Sequence, residues 1–146
     1  MKKILQLFVS LVFITAGALA QPASDADQTE LGARMEKLNA PWRKLRRQVA
    51  DPAQNATSLE LLAKIREAAK GTEQLTPAKA ADLPESQRAK FQASYAEGMR
   101  KFFGQLDALE AALKAGDNAR AGTLVAAIAD NQRESHKKFR KDTDKK

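Results

Sequence analysis

The sequence predicts an all-α protein, an antiparallel up-down-up-down four-helix bundle, and three observations lead there. Apolar residues recur at steps of three and four over four separate stretches, none of the mature chain alternates with the two-residue period of a strand, and two short turns and one longer connection separate the stretches. Short connections place successive helices side by side and antiparallel.

The chain opens on Met1-Lys2-Lys3, an apolar run from Ile4 to Gly17 and the small-residue site Ala18-Leu19-Ala20. A basic start, a short apolar core and such a site make residues 1–20 a cleavable secretory signal peptide. Residues 21–28, polar and without periodicity, are expected to form a flexible leader to a bundle spanning 29–141, and residues 142–146 a basic tail. Leu31, Met35, Leu38, Trp42, Leu45 and Val49 fall on one stripe of a first helix that Asp51-Pro52 should end. Thr57 and Glu60 have capping-box spacing, and Leu62, Ile65 and Ala69 form the stripe of a second helix that stops near Gly71. Residues 72–83, with Pro77, read as a long connection of weak periodicity. Pro84 suits the first turn of a third helix, capped by Asp82 or Leu83. Its stripe is Phe91, Tyr95, Met99, Phe102, Leu106, Leu109 and Leu113, and Gly116 is its stop. Asp117 can cap a fourth helix whose inner face would be Val125, Ile128, Gln132, His136 and Phe139.

Composition narrows the function. The 146 residues include no cysteine, so neither a lipid anchor through a thiol nor a disulfide is available, and the exported domain must stand on its packed core. The net charge is +7, and losing Lys2 and Lys3 with the signal peptide leaves 23 basic against 18 acidic side chains, or +5. Export removes the protein from nucleic acid, so an acidic protein or another anionic surface is the expected partner. No Ser/His/Asp set, glycine-rich phosphate loop, H-E-x-x-H or second histidine for a zinc site occurs, and no enzymatic activity is expected.

The single histidine, His136, lies in RESHKKFR near the C-terminal end. In an up-down-up-down bundle the first and last helices are neighbours, with the start of one beside the end of the other. Met35 and His136 each fall roughly 8 to 9 Å from that shared end, at about 1.5 Å per residue, and so at nearly one level. A thioether facing an imidazole is an axial pair for six-coordinate haem iron, suited to electron transfer because no position stays open for substrate. The same residues also read as ordinary core, for Met35, and as a solvated face, for His136 beside Lys137 and Lys138.

ARMEKLNAPWRKL around Met35, GMRKFFGQLDALEAALKAGD in the third helix and RESHKKFR resemble the corresponding segments of the cytochrome b562 family, over about Leu31 to Arg140. That resemblance implies one noncovalent haem b per chain, with Met35 and His136 on the family's axial positions. It puts Leu38 against the porphyrin, Pro77 in the segment covering one side of it, and Arg140 on a basic position near the propionates. Gly98 and Gly104 match family glycines. Tyr95 and Met99 stand where the best-known member carries phenylalanines, and Trp42 where it has a smaller apolar residue, so the pocket stays apolar but changes shape. The frame Gln132-Arg133-Glu134-Ser135-His136 holds no thiol for covalent attachment. The expected protein is a monomeric, periplasmic electron carrier, not inserted in the membrane once its signal is removed, that serves an acidic redox partner through cations such as Arg46, Arg47, Lys137 and Lys138. The alternative is a haem-free bundle that docks an acidic partner, its pocket refilled by Tyr95, Met99 and Trp42. Haem storage or sensing would keep the ligands without the redox role.

Overall fold

The computed structural model describes residues 29–141, and the expected signal peptide, leader and basic tail lie outside them. Four helices form: α1 Glu30–Gln48, α2 Asn55–Ala69, α3 Glu85–Lys114 and α4 Asn118–Phe139. No strand occurs among the described residues, and the all-α four-helix architecture read from the sequence is the one observed.

Local chemistry sets the ends of the helices. The Thr29 hydroxyl accepts the Gly32 N–H at 3.0 Å and starts α1, which continues through Pro41 although a proline leaves the Lys37 carbonyl without its helical donor. After Val49, the Asp51 side chain accepts the Ala53 N–H and begins a 3-10 turn, Pro52–Gln54, that runs directly into α2. This turn starts α2 at Asn55, so Thr57 lies inside the helix and is not its cap. Gly71, at φ +76°, turns the chain out of α2, a conformation that costs glycine little.

Residues 72–83 carry more order than their weak periodicity predicts. They hold two 3-10 segments, Thr72–Gln74 and Ala78–Asp82, with Thr72, Pro77 and Ala80 buried. Pro84 sits at the cap of α3 rather than in its first turn, where Asp82 or Leu83 was expected. At the far end Gly116, φ +70°, donates to the Leu113 carbonyl and Asp117 N–H to that of Ala112, a Schellman closure. The Asp117 side chain then accepts the Arg120 N–H at 3.0 Å and caps α4.

α1 packs along α2, α2 against α3, and α3 along α4, while α1 and α4 make no comparable backbone approach. The main core holds Leu45, Leu62, Ile65, Leu106, Leu109, Leu113 and Ile128, all fully buried. Burying each such side chain contributes about 1.5 to 3 kcal/mol. A second, smaller cluster gathers buried Leu31, Tyr95 and Met99 with half-buried Met35, Leu75, Phe102, Phe103 and Phe139. It occupies the end where α1 and α3 begin and α4 finishes.

Candidate functional site

The flanks of α1 and α4 can be assigned from their hydrogen bonds. On α1, Arg34 donates to the Lys70 carbonyl at 2.7 Å and Gln48 to the Ser58 hydroxyl at 3.0 Å, so their flank faces α2. On α4, Asn131 accepts from Lys101 at 3.1 Å and Lys138 donates to the Ser94 hydroxyl, so that flank faces α3. At about 100° per residue, Met35 stands about 100° round α1 from Arg34, and His136 about 140° and 160° round α4 from Asn131 and Lys138. Buried Leu31, Trp42 and Leu45 lie between Arg34 and Met35 round α1, and buried Ile128 and Val125 between Asn131 and His136 round α4, so both are turned across the core toward the seam between α1 and α4.

That seam is closed at one end only. No side-chain hydrogen bond or ion pair joins Glu30–Gln48 to Asn118–Phe139 among the described residues. Just beyond α1, the Asn118 amide donates to the Val49 carbonyl at 2.7 Å and pairs with the Asn55 amide at 2.7 and 3.2 Å. At the open end Met35 is half-buried and His136 exposed. His136 lies on the same side of α4 as buried Val125 and Ala129, the inner face expected of it, but is exposed there rather than covered. The imidazole is nonetheless crowded enough that partial burial, and then the Arg140 cation, hold its pKa below the usual histidine value. Both causes favour the neutral ring, whose lone pair can bind a metal.

Tyr95 forms part of the wall. Its hydroxyl donates to the Thr72 carbonyl at 3.0 Å, and Thr72, fully buried, donates in turn to the Ala69 carbonyl at 2.6 Å. Burial raises the phenol pKa to about 12, the Thr72 bond opposing the shift. Met99 is buried beside Tyr95 and Leu31.

The donor chemistry fits a haem: the thioether of Met35, with that of Met99 buried in the same cluster, one neutral imidazole, an apolar wall and no thiol for covalent attachment. No group of three or more His, Cys, Asp or Glu side chains that could hold a free metal ion occurs among the described residues. The model of the Cytochrome b562 family matches residues 30–140, the whole of the four helices. The chain belongs to the cytochrome b562 family. No curated relative and no solved structure matches it. Membership in the cytochrome b562 family indicates a haem-binding electron carrier rather than a classical enzyme. Among the described residues no helix is long and apolar enough to cross a membrane.

The positions that the cytochrome b562 resemblance picked out divide into two groups. Met35, Tyr95 and Met99 come together at the open end, Pro77 is buried ahead of Ala78–Asp82, and Arg140 is exposed just past α4. Leu38 and Trp42 instead pack on the main core. The Trp42 indole N–H is buried without a partner, at one edge of that core two helical turns beyond Met35. Leu75 and Phe103 complete the open-end cluster and were not picked out by sequence. Leu75 lies in the connection, where helical periodicity gives no signal, and Phe103 is one residue off the α3 stripe.

Proposed function

We propose that this protein is a periplasmic electron carrier holding one noncovalent b-type haem at the open end of the α1–α4 seam, with Met35 and His136 as axial ligands. The feature that supports this reading is a thioether and a neutral imidazole on the facing sides of α1 and α4, across which no side-chain hydrogen bond or ion pair runs among the described residues. Bound haem would supply a one-electron couple at its iron, with the thioether favouring the reduced state. The chain's own residues do the rest. Tyr95, Met99, Leu31 and Phe102 keep water from the site, and the ring nitrogen of His136 stays unprotonated near neutral pH. Arg140, four residues beyond His136 and exposed, would pair a haem carboxylate. Retention rests on two axial bonds and apolar contact alone.

An acidic redox partner suits the exposed cations of α1 and α4. Arg46, Arg47 and Lys137 make no ion pair with an acid among the described residues, while Lys138 is held by Ser94. Weakening of partner association with rising salt is the expected signature.

The test is production of the full chain with its signal peptide in a haem-sufficient host, followed by the absorption spectrum and a haem titration. Red protein with sharp low-spin bands on reduction and one haem per chain is expected. Colourless protein that also refuses added haem would support the haem-free bundle instead.

A further inference from the structure

The last turn of α4 is fastened on almost every side except the one that carries His136. The Lys137 carbonyl accepts from Lys79 Nζ at 3.4 Å, across from Ala78–Asp82. Lys138 donates to Ser94 of α3, and Lys141 lies 3.6 Å from the Asp82 carboxylate. Between them the Phe139 ring meets Phe91 and Tyr95 edge-on, at centroid distances of 5.3 and 5.4 Å. His136 and Arg140 differ from their neighbours. Four residues apart, they share a flank turned away from α3, and in the described residues their side chains make no hydrogen bond or ion pair.

Phe139 has a prepared seat. A Cβ added at Gly98 would lie 3.8 Å from Phe139 Cε2, ordinary contact for a methyl, so a branched side chain there would press on the ring. On its other side Tyr95 is itself locked to the Thr72 carbonyl, and Thr72 to the end of α2. A rigid path therefore runs from α2 through Thr72 and Tyr95 to the ring of Phe139. Helix ends with unsatisfied carbonyls fray unless tied down, and a ligand three residues before such an end would otherwise be poorly aimed.

We propose that Phe139, seated on Gly98 between Phe91 and Tyr95, is a positioning residue that fixes the end of α4 so that His136 and Arg140 face the α1–α4 seam before haem arrives. The inference rests on the functional reading above and adds how the imidazole is aimed. Preorganising a binding group in advance lowers the ordering cost at the moment of binding.

Three full-length variants test it: Phe139→Ala removes the ring, Gly98→Leu crowds it out of its seat, and Gly98→Ala leaves it in place. The first readout, in haem-free protein, is amide hydrogen exchange at Arg140, whose N–H bonds the His136 carbonyl at 3.0 Å. Exchange should quicken at least tenfold in Phe139→Ala and Gly98→Leu, with Ile128 in mid-helix unchanged and Gly98→Ala like the wild type. The second readout is haem titration with electron paramagnetic resonance of the ferric protein. Haem affinity should fall about tenfold in the same two variants, and the low-spin signal should broaden as the imidazole takes several orientations. Unchanged exchange overturns the proposal, as does quickened exchange with unchanged affinity and line shape. Because Gly98→Leu leaves the Phe139 side chain intact, an unfolded Phe139→Ala protein still leaves a decisive comparison. A wild type that takes up no haem sinks the functional reading, whereas a haem-binding wild type matched by its variants sinks this one.

Discussion

Where α1 gives way to α2 and α3 to α4, Leu45, Leu62, Leu109 and Leu113 are fully buried, and Asn118 ties the start of α4 to the end of α1. At the opposite end Met35, Phe102 and Phe139 are half-buried, and α1 stands apart from α4. Both ends use apolar residues at helical spacing. The difference is that one end completes its contacts within the chain and the other leaves a seam with a thioether and an imidazole turned into it. Burial is therefore more complete at the closed end than at the open one.

Substitutions should separate the two ends. Leu109→Ala at the closed end should cost about 2 to 5 kcal/mol of unfolding free energy, the range for a fully buried leucine, and leave the haem spectrum unchanged. Met35→Ala should cost haem-free protein about 1 kcal/mol or less, because its side chain is half-buried; chemical denaturation of both variants gives the comparison. An equal loss from the two would erase the distinction.

The closing bond is next in size. Asn118→Ala removes the donors to the Val49 carbonyl and the Asn55 amide, and should cost about 1 to 3 kcal/mol with part-buried acceptors left unpaired. Smaller again, Tyr95→Phe loses the bond to Thr72 and should cost about 0.5 to 1.5 kcal/mol. Tyr95 also carries a pH signature. Its folded pKa of about 12 lies above the ordinary 10, so its contribution is complete below pH 10 and is lost as pH rises through 12. Unfolding curves at rising pH should show that loss in the wild type and not in Tyr95→Phe.

The smallest effect belongs to His136. Its folded pKa is lowered by burial and by Arg140, so the unfolded chain takes up the proton more readily. Stability therefore falls as pH drops from about 6.5 through the folded pKa. His136→Gln should flatten that part of the pH–stability curve, as measured by denaturation of haem-free protein.

Features of the molecule set by helix period and cap chemistry are legible in its sequence. Gly116 and Asp117 stop α3 and start α4 through local bonds that the sequence announces. The start of α2 was misread because a 3-10 turn at Pro52 does the work expected of Thr57. Residues 72–83 gave little signal because their order comes from burial of Thr72, Pro77 and Ala80 against the helices. Phe139 was legible as an apolar position on α4, but not its seat on Gly98. Spacing fixes the direction in which His136 points round its helix. It does not say how near α1 comes, so the exposure of His136 could only be seen in three dimensions.

The most direct test of the central claim compares optical spectra of haem-reconstituted wild type, Met35→Ala and His136→Ala under identical conditions. Axial ligation by Met35 and His136 requires a six-coordinate low-spin spectrum in the wild type that is lost in each variant. Low-spin bands persisting in either one, or a high-spin wild type, would contradict it.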